Sequence, residues 1–310
     1  MQRTADKPPP LNRSVSPLVL VILVVCSVLL EVTMMSRVLQ DTSVTALNAA
    51  IEENLLFAFI PALSRWSRAE VHDKGAVKWF ITDIPFPLFN SVFSAQLKAD
   101  RISAAIESIT SCARLRNVPL VWRIGPATRP QDLGKHLEEH GFINEGQEPG
   151  MAVELEKLNE EVPVPSGLTI ERVGSAEGLQ QWSQTGVAGF GWPGFVAEAI
   201  YDLMSHADAE TTLAYLGWLN DEPVATSLLV LAAGVAGIYN VATIPEARRQ
   251  GIGTLMTLLP LREARMRGYR VGILSASEMG VGVYRRLGFW EYCKIGRYMW
   301  LPESVRQGAG

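Results

Sequence analysis

Cysteine is scarce in this chain, with three among 310 residues: Cys26, Cys112 and Cys293, far apart and with no Cys-x-x-Cys pair. That excludes a disulfide framework and a thiolate zinc site, and it suits a reducing compartment. Charge is also thin, at 19% of residues with a net charge of −4. With no tract rich in Lys and Arg, the chain lacks the electrostatic footprint of a nucleic-acid binder, and a polyanionic partner is not expected. Metal-ligand spacing is nearly absent too. His136 and His140 stand four residues apart on a predicted helix, but no third ligand is evident and Glu138 and Glu139 mark a solvated face, so no metal is expected.

Apolar residues are plentiful, at 48%, and a chain of this length is expected to build two cores. The most apolar stretch, "SPLVLVILVVCSVLLEVTMM" (16–35), follows a Pro-rich lead carrying Arg3, Lys7 and Arg13. Three readings stand open. A transmembrane helix needs about 20 apolar residues, and Glu31 interrupts the run early. A secretory signal lacks a prompt small-x-small cleavage site. The third reading is translation from Met34 or Met35.

Downstream, helix and strand patterns alternate. Thr45 to about Ala62 is predicted as a helix, and Asp100–Arg116 as a second, with Ile102, Ile106 and Ile109 on one face. "AVKWFIT" and "VPLVWRIG" read as strands, "DIPFPLFNSVFSAQL" as a loop turning into a strand, and "GMAVELEKL" as the strand that closes this half. A short helix before it is ended by Gly141. After the polar, Pro-containing stretch "NEEVPVPSG" (159–167) the pattern restarts: strand "LTIERV", a helix capped by Ser175, a second helix "GFVAEAIYDLMSHA", and three strands turning at Asn220-Asp221-Glu222-Pro223 and at Ala233-Gly234. A helix to about Arg267, the apolar strand "YRVGILSAS", a short helix over 279–287 and two more strands complete the expectation. Two stretches echo each other: "LEEHGFINEGQEPGMAVEL" (137–155) and "YRRLGFWEYCKIGRYMWL" (284–301), each a helix end, a Gly-Phe stop and a strand, as two copies of one unit would give.

"ARRQGIGTLM" (247–256) sets two arginines, a glutamine and two glycines between a strand and a helix. Such a turn is an anion site, because the first helical N–H groups have no intrahelical partner and the helix dipole adds positive charge. The dinucleotide fingerprint fails, since Met256 stands where its third glycine belongs, and the P-loop fails for want of Gly-Lys-Ser/Thr. What matches is Arg248-x-x-Gly251-x-Gly253, preceded by Pro245 and by a strand ending Val241-Ala242-Thr243. This resembles the coenzyme A pyrophosphate-binding motif of the GNAT superfamily of N-acyltransferases. "SASEMGVGVYRRLGF" (275–289) resembles the next motif of that superfamily, and the resemblance covers about residues 167–301.

The resemblance implies a tandem α/β (α+β mixed) fold of two GNAT-like domains, each a twisted, mostly antiparallel sheet flanked by helices. Residues 1–34 would be an extension, 35–158 a degenerate GNAT-like domain, 159–167 a linker and 168–304 the catalytic domain. Acetyl-CoA would be the cosubstrate. Its pantetheine arm would lie between the strands of Val241 and Thr243 and of Leu274 and Ser275, and its pyrophosphate against Arg248, Arg249, Gln250, Gly251, Ile252, Gly253 and Thr254. Ser277 stands where many relatives place an Asn that contacts the cofactor. Tyr284 stands at the usual general acid, and Leu137 takes that place in the first half, which is not expected to be catalytic. No general base is visible, and Pro260 interrupts the helix after the motif.

"GFGWPGF" (189–195) falls where the family builds its acceptor lip, which makes Trp192 the candidate specificity residue. "PFPLFN" and "VWRIGPATRP" offer a wall for the acceptor pocket or a homodimer contact, with plain packing as the alternative. The expected activity is transfer of an acetyl or acyl group to a small-molecule or peptide amine, in the cytoplasm or anchored to a membrane through residues 17–35. The alternative is a non-catalytic acyl-CoA-binding or sensing module.

Overall fold

The computed structural model describes residues 38–306. The chain divides into two units, Met1–Val38 and Leu39–Gly310, and of the first only Val38 is described, so the apolar extension and its three readings lie outside the described residues. The first half holds helix α1 (Val44–Arg65), strands β1 (Glu70–His72), β2 (Val77–Ile81) and β3 (Ser91–Ala95), α2 (Ile102–Arg116), β4 (Leu120–Ile124), α3 (Leu133–Glu139) and β5 (Ile143–Glu154). The second half holds β6 (Leu168–Arg172), α4 (Ala176–Phe190), α5 (Phe195–Ser205), β7 (Thr212–Leu219), β8 (Glu222–Ala232) and β9 (Val235–Thr243). It continues with α6 (Ile252–Met266), β10 (Val271–Ser275), α7 (Val281–Arg286), β11 (Trp290–Trp300) and α8 (Glu303–Arg306).

Local chemistry sets most of these boundaries. Ser175 caps α4, its hydroxyl accepting from the Gly178 N–H at 3.0 Å. The two hairpins turn through paired left-handed residues, Asn220-Asp221 and Ala233-Gly234, as two-residue turns between twisted strands require. α6 runs on through Pro260 to Met266. Two strand boundaries differ from expectation. β5 begins at Ile143 rather than near Gly150, and the chain finishes on one long strand, β11, rather than two. The polar run Asn144–Glu148 has no strand periodicity of its own; it is extended because it pairs with β11, from Met299↔Ile143 to Ile295↔Glu148.

The eleven strands of the described residues form one sheet in the order β1-β2-β3-β4-β11-β5-β10-β9-β8-β7-β6. The crossing in the middle ties the halves together. β11 of the second half lies between β4 and β5 of the first, antiparallel to both, and β5 lies between β11 and β10, again antiparallel to both. Each half's closing strand therefore completes the other half's sheet.

α1 lies across this seam. Its Leu47, Ala50 and Ile51 pack with Ala152 of β5, Val235 of β9 and Ile273 of β10. By length and composition α1 is apolar enough to cross a membrane, yet Leu47, Ala50, Ile51, Asn54 and Leu63 are buried within this fold. α6 covers one face of the second half, with Ile252, Met256 and Leu261 against Leu229, Ile238 and Leu274. α2 and α3 cover the first, where Ile106, Leu133 and Leu137 meet Ile81, Val92 and Trp122. A buried leucine contributes about 1.5–3 kcal/mol through its removal from water.

Candidate active site

The site begins where β9 and β10 part. These parallel strands pair only at Ala236↔Gly272 and Gly237↔Ile273 and then diverge. On the other side of β9 the register with β8 slips between Thr226↔Ala242 and Leu228↔Tyr239, so Asn240 and Val241 together face Ser227. This is a β-bulge, and Asn240 takes a left-handed φ of 49° to make it. Side chains hold it in place: the Thr226 hydroxyl donates to Asn240 O at 2.9 Å, and the Trp182 indole N–H donates to Ser227 O at 3.0 Å. Sequence reasoning missed Asn240. The available signal was an asparagine, a residue tolerant of left-handed φ and poor in strands, inside "GIYNVAT".

From the end of β9 the chain reaches α6 through the two-arginine, two-glycine turn. Arg249 and Gly251 both have positive φ, 61° and 81°. Among the described residues, the N–H groups of Arg249, Gln250, Gly251, Ile252 and Gly253 meet no acceptor, whereas Thr254 gives its N–H to Gly251 O at 3.1 Å. A φ of 81° at Gly251 suits a residue without Cβ and keeps this helix mouth open. Arg248 does something else. Its Nε donates to Thr243 O at 3.0 Å and its Nη2 to Gly189 O at 2.9 Å, so its guanidinium ties the turn to the ends of β9 and α4. The residues left facing outward fit a dianion such as a pyrophosphate, with the Arg249 side chain exposed beside it.

Tyr284 enters from α7. Its ring packs edge-on to Phe289 and over Gly280, where an added Cβ would fall 2.8 Å from the ring. Burial pushes its phenol up to about 12, so it stays protonated through the neutral range. Ser277 starts the turn into α7, its carbonyl accepting from Gly280 N–H and Val281 N–H.

Tyr284, Ser277 and Val241 open on one cavity of about 370 Å³, and Trp192 lines it as well. Trp192 stacks on Phe190 at 4.3 Å and meets the edge of Phe86 at 5.4 Å. Phe86, Pro87 and Leu88 of the first half supply the facing wall. That loop is anchored by the buried Asn90, whose amide donates to Ile84 O and Phe86 O while its oxygen accepts from Thr82 N–H at 2.8 Å. The PFPLFN segment therefore borders the same cavity as Val241, Ser277, Tyr284 and Trp192, whereas Thr243 and the turn residues 248–254 do not line it.

Three charged groups that sequence reasoning did not single out line the cavity from the strand seam: Arg123 on β4, Glu148 on β5 and Arg297 on β11. Arg123 stands opposite Arg297 across the ladder and 3.8 Å from the Glu148 carboxylate, while Arg297 pairs with Glu145 at 2.6 Å. Burial lowers the proton affinity of the Arg123 guanidinium, with Glu148 opposing. The signal for Arg123 was a charge inside the apolar run "LVWRIG". His136 and His140 form no ligand pair: the His140 ring meets the His136 carbonyl at 2.6 Å, and His136 lies beside Glu139.

Residues 170–276 match the acetyltransferase (GNAT) domain family. This segment is a GNAT domain. No curated protein matches the chain. A GCN5-related N-acetyltransferase from Kribbella flavida is similar in structure, with 22% identity over 84% of this chain and 96% of that one and a TM-score of 0.59. A GCN5-related N-acetyltransferase from Sphaerobacter thermophilus has 18% identity over 75% of each chain and a TM-score of 0.53. A tandem GNAT protein from the clavulanic acid biosynthesis pathway has 14% identity over 76% of this chain and 83% of that one, at 0.52. At these identities the likeness is one of fold, and the mixed α/β architecture with a mostly antiparallel sheet agrees with it. The parting strands, the bulge at Asn240 and the open helix mouth all lie within the matched segment, and Tyr284 follows it.

Proposed function

We propose that this protein is an N-acetyltransferase that moves an acetyl group from acetyl-CoA directly to an amine. The observation that carries the reading is convergence: the parted, bulged β9 and the buried Tyr284 border one cavity, and the helix mouth with free N–H groups follows directly on β9. When bound, acetyl-CoA supplies an acetyl group activated as a thioester.

The chain's own residues would do the rest. The N–H groups from Arg249 to Gly253 and the Arg249 side chain hold the phosphates, and Arg248 braces the turn that presents them. Tyr284 donates a hydrogen bond to the departing sulfur, and its burial keeps the proton on the phenol until then. Glu148 gives the cavity a carboxylate able to take the amine proton, directly or through water, which the neighbourhood of β9 does not offer. Direct transfer is supported by the lining itself. The hydroxyls of Ser91, Ser275 and Ser277 line it, and among the described residues none is hydrogen-bonded to Glu148, whereas a covalent route needs a nucleophile and a base in contact. Cys293 lies elsewhere, with burial pushing its thiol up to about 11.

Isothermal titration with acetyl-CoA, followed by a free-thiol assay over a panel of amines, tests this. Tyr284→Phe is expected to lower turnover by about 10²-fold or more with acetyl-CoA binding intact, within the usual range for a positioned acid. Binding without turnover across the panel would make the protein an acyl-CoA-sensing module instead, and absence of binding would sink both readings.

A further inference from the structure

We propose that the acceptor amine also carries a carboxylate, seated on Arg123, with its apolar part held against the aromatic walls. This rests on the transfer reading above and narrows it to a substrate class. A guanidinium presents five N–H donors in a planar fork that matches a carboxylate. Among the described residues, no acceptor lies within hydrogen-bond range of those of Arg123. Glu148 Oε2, at 3.8 Å, is near enough to attract and too far to bond. Arg297, directly opposite, is spent on Glu145, to which its Nε donates at 2.6 Å.

Two like charges side by side on neighbouring strands repel, and the half-buried Arg123 guanidinium is left with donors that meet no acceptor among the described residues. A carboxylate entering the cavity relieves both. It could arrive on the acceptor or on a dicarboxylic acyl group. The walls favour the acceptor: Phe86, Phe93 and Trp192, none of them on β9 or β10, make a space of about 370 Å³ lined mainly by apolar side chains, more than a short acyl chain fills. An aromatic or aliphatic amino acid has the required parts: a carboxylate for Arg123, an apolar body for the walls and an amine beside it.

The test measures binding and turnover separately. The CoA-saturated protein is titrated by calorimetry with phenylacetate, phenylalanine and phenethylamine, and the two amines are then assayed with acetyl-CoA and with succinyl-CoA. Phenylacetate and phenylalanine are expected to bind at least about tenfold more tightly than phenethylamine, the factor for a charge-assisted hydrogen bond. Arg123→Met should weaken both carboxylates by about 10- to 100-fold and raise the KM of phenylalanine to match, with a much smaller change in kcat. Arg123→Lys should restore part of the loss, which a packing role would not, and melting curves verify that both variants fold.

Failure of phenylacetate to bind the wild type at millimolar concentration overturns the proposal. So does equal weakening of phenethylamine by Arg123→Met. A preference for succinyl-CoA that disappears in that variant assigns the carboxylate to the acyl group and also overturns it. If phenylacetate binds in an Arg123-dependent way and no amine of the wider panel is acetylated either, the carboxylate seat stands and the transfer reading fails.

Discussion

Leu137 and Tyr284 occupy the same place in the two halves. In each, a phenylalanine N–H returns to the carbonyl of that residue at 3.0 Å, Phe142 to Leu137 and Phe289 to Tyr284, after a glycine of positive φ. In each, the preceding parallel strands pair at only two positions, β3 with β4 and β9 with β10. The halves differ in what fills the gap. In the first, the chain after β4 folds back over it: Arg129 N–H donates to Ala95 O and Leu97 N–H to Arg129 O, both at 2.9 Å. Leu137 is then wholly buried against apolar neighbours. In the second, Ala276 N–H turns away to Pro149 O, and the gap beside β9 is left as cavity. One arrangement thus gives a sealed core and an open site, depending on whether a loop's backbone satisfies its own strand edge or another's. The sealed half still takes part, supplying Arg123, Glu148 and the Phe86 wall.

The comparison breaks most completely if the halves are separated. Chains ending at residue 158 or beginning at 159 are expected not to fold alone, since β5 and β11 each lose both ladder partners or leave their own half unpaired. Co-expression should recover a soluble pair, and soluble yield with circular dichroism reads the result. A stable, isolated second half would show that the strand exchange is dispensable.

The equivalent residues sharpen it next. Leu137→Ala should destabilise by about 2–5 kcal/mol, the range for emptying a buried leucine site, and leave acetyl-CoA affinity unchanged. Tyr284→Phe should do the reverse, sparing the melting temperature and lowering turnover. Denaturant melts and calorimetry on both variants expose any exchange of roles.

A smaller effect lies at the helix crossing the seam. Burial raises the Glu52 carboxyl above its usual value, partly offset by the Ala127 N–H donating to it at 3.0 Å. A raised folded-state value means the folded chain binds this proton more readily than the unfolded one. The resulting stability is full below the unfolded carboxylate range and is lost as pH rises through the folded value. Glu52→Gln should therefore melt higher than the wild type at pH 7 to 8, with the gap closing as pH falls toward about 4. A gap independent of pH would locate the effect in packing.

Much of this was legible locally. The helix over Val44–Arg65, the caps at Ser175 and Gly141, the hairpin turns and the glycine turn before α6 depend on neighbours within a few residues, and periodicity and cap chemistry report those. Arg248 was expected at the phosphate with the rest of its motif, and only its two carbonyl partners, one of them Gly189 on another helix, show it bracing the turn. Asn240 gave a faint signal, a poor strand former in a strand. Glu148 gave none, because the polar run around it has no period until β11 lies alongside.

The sequence by itself determined the order of elements, the glycine turn that opens the mouth of α6 and the place of Tyr284, because each is set by residue types at short, fixed spacing. Tertiary structure alone decided that β5 and β11 exchange sides, and with that which charges meet in the cavity. Backbone pairing between strands about 150 residues apart in the chain carries no local spacing to read, and its register is chosen by which long-range partner buries the apolar face and satisfies the strand edge.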